Sequence, residues 1–218
     1  MPPEIARQAR VAENVLLDGR LALFHEQQSW LAVADVHFGF ELSQRAAGRL
    51  MPMWGMDSIE QRLLELLADF RPRHLVIVGD LVHDRASAAE AALLLERLGT
   101  HTTVVVLTGN HDRHLRGALP LRDSWESDGF YFHHGHCAAD VPERVQIIGH
   151  HHPAGTIRDG AGLRLKLPAF VQQGSCWILP AFSPWAGGVE WPQDAESRIW
   201  LCTPQRVLQL PLVEATAR

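Results

Sequence analysis

Five stretches of this sequence end an apolar run and place a side chain able to hold a metal just beyond it. Trp30–Ala34 is followed by Asp35-Val36-His37, and Leu75–Val78 by Gly79-Asp80. Val104–Leu107 leads through Thr108 to Gly109-Asn110-His111-Asp112. Phe130–Phe132 gives His133-His134-Gly135-His136, and Val145–Ile148 gives Gly149-His150-His151-His152. Residues two apart on an extended chain project to the same side, which groups Asp35 with His37 and His150 with His152. Each stretch alone has an ordinary reading: a strand ending in Asp, a Gly-Asn turn, a solvated histidine run. Their coincidence in order, each behind a strand, singles them out. Nine of the 13 histidines fall between His101 and His152, and imidazole is the commonest side-chain metal ligand and proton carrier.

Asp35, His37, Asp80, Asn110, His134, His150 and His152 form a mixed donor set. Such a set suits two divalent ions about 3.5–4 Å apart, which hold the attacking and leaving oxygens of a phosphoester hydrolysis. Carboxylates neutralise charge and can bridge, imidazoles favour Mn, Fe or Zn, and an amide oxygen fills a position without adding charge. His111 adjoins the donor Asn110 and is followed by an acid that can orient it, so it is the candidate general acid. Arg113, directly after that turn, is the candidate phosphate clamp, and His83 and His136 are candidate substrate contacts. Cys137 is expected as a small buried thiol.

Positioning these residues takes alternating strands and helices. Val15–Leu17 and Leu21–Phe24 read as a hairpin turned by Asp18-Gly19. Residues 40–56 suggest a loop or irregular helix. Asp57 with Glu60, and Ser87 with Glu90, have the spacing of capping boxes. Ile59, Leu63, Leu66, Leu67 and Phe70 fill one helical face, and Ala91, Leu94, Leu95 and Leu98 another, with Gly99 expected just past the end. The pattern β-α-β-α-β implies a largely parallel sheet. From about Phe130 short strands dominate, which suggests a second sheet packed on the first.

Composition narrows the class. The chain has 218 residues, 46% of them hydrophobic, with 17 Gly and 13 Pro scattered without period, which fits one globular domain spanning 1–218. No apolar run is long enough for a spanning helix, and the first ten residues lack a secretory signal's apolar stretch. Three cysteines without CxxC spacing fit a reduced, cytoplasmic protein. A net charge of −5 gives no broad attraction for nucleic acid.

The ordered motifs DxH, GD, GNHD, HGH and GHxH across residues 35–152 resemble the calcineurin-like metallophosphoesterase superfamily. The resemblance implies an α/β fold, a four-layer αββα sandwich of two mixed sheets, around a dinuclear centre. One metal would take Asp35, His37 and His152, the other Asn110, His134 and His150, with Asp80 bridging. Metal-bound hydroxide would attack the phosphoester, and His111 would protonate the leaving oxygen or stabilise the transition state. Asp112 would hydrogen-bond His111 and favour its charged form. Phe38-Gly39-Phe40-Glu41, Gly79-Asp80-Leu81-Val82-His83 and Leu179-Pro180-Ala181-Phe182 resemble a narrower branch. That branch holds the DNA-ligase-associated bacterial phosphoesterases and archaeal relatives of double-strand-break nucleases.

The expected activity is therefore hydrolysis of phosphodiesters, nucleotides or DNA ends, with Mn²⁺ the first candidate ion and DNA-repair proteins as candidate partners. A phosphomonoesterase or cyclic-nucleotide phosphodiesterase of the same fold is the nearest rival. A non-catalytic metal-binding scaffold is a rival of another class. Charge arithmetic yields the first prediction. Two carboxylates and a hydroxide against two divalent ions leave about +1, whereas the empty site carries about −2 and repels phosphate. Chelation should abolish turnover of a chromogenic phosphodiester and added divalent ion should restore it; turnover persisting in metal-stripped protein contradicts the assignment.

Overall fold

The computed structural model describes residues 7–139, 141, 143–158 and 160–212. The chain opens with β1 (Gln8–Ala12), β2 (Val15–Asp18), β3 (Ala22–His25) and β4 (Trp30–Ala34). Then come α1 (Phe40–Ala46), α2 (Trp54–Phe70), β5 (His74–Val78), α3 (Ala88–Gly99), β6 (Thr103–Leu107) and β7 (Leu121–Arg122). These seven strands form one sheet in sequence order, antiparallel from β1 to β4 and parallel from β4 to β7.

The second half supplies β8 (Ser124–Ser127), β9 (Phe130–His133), β10 (Val145–Ile148), β11 (Pro153–Arg158) and β12 (Arg164–Gln173). It continues with β13 (Cys176–Ile178), β14 (Val189–Glu190), β15 (Ser197–Thr203) and β16 (Arg206–Gln209). Their sheet runs β14-β11-β12-β13-β10-β9-β8, with β15 on β12 and β16 on β15. Strands β9, β10 and β13 are parallel. The fold is thus the expected α/β sandwich of two mixed sheets. Among the described residues every α-helix lies in the first half, and no helix is long and apolar enough to cross a membrane.

All five residues of β4 are fully buried, because this strand is covered on both faces. The Trp30 ring meets Phe130 at 5.1 Å and Phe132 at 4.9 Å, edge to face, and so joins the two sheets. The alternate residues Leu31 and Val33 point the other way, and the buried stripes of α2 and α3 belong to the same apolar cluster. Nearer the strand tips, the segment after β13 crosses between sheets. Leu179 N–H donates to Ile148 O at 2.8 Å, Phe182 N–H to Ala34 O at 2.8 Å, and Ser183 N–H to Asp35 O at 3.2 Å.

Several local expectations are corrected. The hairpin loop is Gly19-Arg20-Leu21, closed by Leu21 N–H to Asp18 O at 2.9 Å, with Leu21 rather than Gly19 in the left-handed region. Gly19 is needed for approach, since a Cβ there would lie 2.2 Å from Thr203 O. Helix α2 begins three residues before Asp57, because the buried carboxylate of Glu41 accepts Met56 N–H at 2.7 Å and caps it from outside. Asp57 sits in the first turn, where its charge still suits the helix dipole. Ser87 holds the N-cap position of α3, but its hydroxyl donates to Gly39 O at 3.0 Å instead. Gly99 is the last residue of α3, not the residue beyond it. Residues Phe40–Ala46 form a short regular helix.

All three thiols are free, and Cys137, in the loop after His136, is exposed rather than buried. Burial lifts the Cys176 pKa to about 11 and that of Cys202 further. A thiol-reactive dye at pH 8 should therefore label one cysteine quickly, Cys137 by peptide mapping, and the other two only on unfolding.

Candidate metal centre

The parallel strands β4, β5 and β6 of one sheet and β9 and β10 of the other all end at the same edge, and loops leaving these tips carry the predicted residues. The backbone there is unusual. Nine described non-glycine residues have positive φ, and five are Asp35 (51°), His37 (44°), Asp80 (45°), His150 (70°) and His152 (47°). Such conformations cost of order 1–3 kcal/mol each and persist only where surrounding bonds enforce them. Here the enforcing bonds are Asp35 N–H to Gly79 O at 3.2 Å and His37 N–H to Asp80 O at 2.9 Å. Both Asp35 oxygens also accept His150 N–H, at 3.1 and 2.9 Å.

Two glycines make room for the donors. A Cβ on Gly79, itself at φ +78°, would lie 2.1 Å from His134 Nδ1. One on Gly109 would lie 2.0 Å from Asp80 Oδ1 and 2.3 Å from the Asp80 backbone nitrogen. The Gly-Asp and Gly-Asn pairs are thus steric provisions for the side chain opposite.

Asp35, His37 and His152 can offer donor atoms to a common point, and so can Asp35, Asp80 and His134. His152 Nε2 lies 3.4 Å from Asp35 Oδ1. Asp80 Oδ2 stands between the groups, 3.4 Å from His134 Nε2 and 4.0 Å from His37 Nε2. Its other oxygen accepts His111 N–H at 2.9 Å. His134 Nδ1 lies 3.1 Å from Val78 O, an acceptor only, so Nδ1 carries the proton and Nε2 is the variable nitrogen. That Nε2 faces Asn110 Oδ1 at 3.0 Å and Asp80 Oδ2. Neutral His134 would set its Nε2 lone pair against the Asp80 carboxylate, and a proton or a metal ion there relieves that.

The electrostatics agree. Burial opposes charge on His134, but its bond to Asp80 and the nearby Asp35 outweigh burial and raise its pKa. Burial also acts to raise Asp80, yet the His134 bond prevails and holds it at about 2. Burial lowers His37 to about 4, against the pull of Asp80 and Asp35, so it is neutral with a lone pair at neutral pH. His37 Nδ1 and His152 Nε2 are both buried with no hydrogen-bond partner. An unpartnered imidazole nitrogen 3.4 Å from a carboxylate oxygen, as His152 Nε2 is from Asp35 Oδ1, is the donor chemistry that divalent transition metals take.

The other predicted residues divide. His150 belongs to neither tight group; its ring lies 5.0 Å from that of His134, and burial lowers its pKa. The His111 ring lies 5.1 Å from the His37 ring, and its Nδ1 is 2.8 Å from the His83 carbonyl. Asp112 does not orient it, contrary to expectation. The buried Asp112 carboxylate is taken up by three backbone N–H groups, of Gly109 at 3.0 Å and of Leu81 and Val82 at 3.1 Å. Burial is the main cause of its raised pKa. His83 stacks on His111, with centroids 5.1 Å apart, and the pair can share a donor group with His37. The His136 ring lies 5.3 Å from His134, while Arg113 is exposed, its charge helping to depress the His136 pKa after burial.

Two contributors carry no signal in the sequence, the Val78 and His83 carbonyls, since every residue has one. Glu41 was visible only as part of a motif; it fixes both α2 and Trp185 Nε1, the latter at 3.1 Å.

A family model of calcineurin-like phosphoesterases matches residues 30–174, a span that contains every candidate metal donor. The chain belongs to that family. Among solved structures, nuclease MPE of Pseudomonas putida is 29% identical, with a TM-score of 0.71, over 90% of this chain and 94% of that one. YfcE, a phosphoesterase from E. coli, is 18% identical with a TM-score of 0.49, over 84% of this chain and 99% of that one. No curated protein matches the chain.

Gly109→Ala tests the steric provision. The added methyl meets Asp80 backbone as well as side chain, so neither can yield cheaply. Metal affinity, read by elemental analysis and titration, should fall about 10–100-fold, as for other residues that orient ligands, with circular dichroism unchanged.

Proposed function

We propose that residues 1–218 form one catalytic domain that hydrolyses phosphodiester bonds with two divalent ions. The observation that carries this reading is the position of Asp80 Oδ2 between His134 Nε2 and His37 Nε2, with the remaining donors on either side. Asp35, His37 and His152 would hold one ion, and Asn110, His134 and His150 the other, with Asp80 shared. Bound there, the ions would withdraw charge from the phosphoryl group and acidify water at neutral pH. Mn²⁺ is placed first among Mn, Fe and Zn because the set mixes hard oxygens with imidazoles.

The protein's own groups then orient and supply the proton. His111 is held at its backbone by Asp80 and at Nδ1 by the His83 carbonyl. With Nδ1–H donating to that carbonyl, Nε2 is the working nitrogen; from the imidazolium form it hands its proton to the leaving oxygen, leaving the ring neutral with its proton on Nδ1. The bond to Asp80 ties this imidazole to the same carboxylate that the two ions would share. Arg113 and His136 flank the second group of donors and line the approach of the phosphate. Nucleic-acid ends and nucleotides come first among substrates, a choice supported by the likeness to a nuclease over most of both chains.

His111→Ala should slow bis(p-nitrophenyl) phosphate hydrolysis by about 10²–10⁴ with metal content intact. His83→Ala, which retains the tethering carbonyl, should cost less. A metal-binding scaffold without catalysis would show no turnover to lose, and a strong preference for p-nitrophenyl phosphate would replace the diesterase with a monoesterase.

A further inference from the structure

Beside the metal donors lies a cavity of about 430 Å³, with His152 in its wall. Its lining includes Arg20, Arg62 and Lys166 and no carboxylate, in a chain whose net charge is −5. Arg20 is neutralised by Asp18 at 2.9 Å and Asp69 at 2.7 Å. Arg62 is not. Its guanidinium lies 3.6 Å over the Phe182 ring and donates to Phe182 O, while its buried Nε has no hydrogen-bond partner. Among the described residues no carboxylate pairs with it, and burial alone lowers its pKa, to about 10, so it stays charged at neutral pH. Lys166 Nζ donates to Gly188 O at 2.7 Å and, among the described residues, pairs with no carboxylate.

Arg62 is half-buried with its Nε fully covered, and desolvating a cation without a counter-charge has a cost that an apolar residue at position 62 would avoid. The arrangement makes physical sense when an anion completes it. Around the cations the wall is apolar and stiff, built from Pro153, Pro168, Pro184 and Ala181, and the volume falls in the range of small-ligand sites. A free phosphate would leave those walls uncovered, whereas a nucleotide presents an anion and a flat apolar body together.

We propose that this cavity is a subsite for the nucleoside-phosphate flank of the substrate. Arg62 meets a phosphate other than the one cleaved, and the proline walls cover the sugar and base. The assignment rests on the phosphodiesterase reading for its purpose, because His152 joins the cavity to the donor cluster.

The test is equilibrium binding of a nucleoside monophosphate to the full chain in the presence of chelator, so that bound metal contributes nothing. Wild type should bind it, R62M at least tenfold more weakly, and R62K between the two. The unphosphorylated nucleoside and orthophosphate should each bind at least tenfold more weakly than the nucleotide. No binding by wild type, or equal binding by a folded R62M, overturns the subsite; orthophosphate binding as tightly as the nucleotide overturns the nucleotide assignment. Turnover of bis(p-nitrophenyl) phosphate by metal-loaded wild type separates the two readings. Turnover without nucleotide binding sinks the subsite alone, and binding without turnover sinks the phosphodiesterase alone.

Discussion

Lone pairs facing lone pairs are the constraint around which this structure is arranged. Asp80 Oδ2 and His134 Nε2 converge out of contact with water, Asn110 Oδ1 reaches them from an exposed loop residue, and the half-buried His152 closes with Nε2 on the buried Asp35. In a low-dielectric interior such a cluster repels itself unless positive charge sits in its midst. The raised pKa of His134 is one expression of that demand. Backbone in left-handed conformations, glycines that leave room for neighbours, and the Val78 carbonyl that fixes a tautomer all hold the acceptors together against their repulsion.

Asp112 shows how the loops carrying those acceptors are kept in step. By gathering N–H groups from Gly109 on one loop and from Leu81 and Val82 on the next, its carboxylate welds the tips of β5 and β6. Asp80 and Asn110 ride on those loops, so their separation is set by Asp112 without its touching either side chain. The acid in the GNHD sequence therefore serves the scaffold, and a carbonyl, which has no charge to offer, orients His111.

The donors were legible because each ends an apolar run, and short runs rich in β-branched and aromatic residues identify buried parallel strands well. The amphipathic stripes of α2 and α3 were legible for the same reason. Strands β8 and β11 were not. Ser124–Ser127 has one large apolar residue, and Pro153–Arg158 opens with Pro and contains Gly, so cross-strand pairing rather than local preference makes them strands. Helix α2 starts earlier than its own sequence suggests because Glu41, distant in sequence, supplies the cap. The partners of Asp112 and the isolation of Arg62 were equally hidden, since both depend on which backbone and side chains meet after folding.

The stitch made by Leu179–Ser183 has a mechanical corollary. Asp35, His37, Asp80 and Asn110 belong to one half of the sandwich and His134, His150 and His152 to the other, so the donor cluster straddles the seam that this segment laces shut. Any slippage between the halves would open the cluster by the same amount. Ions gripping both halves would in turn clasp them, so that resistance to heat and proteolysis becomes a gauge of occupancy.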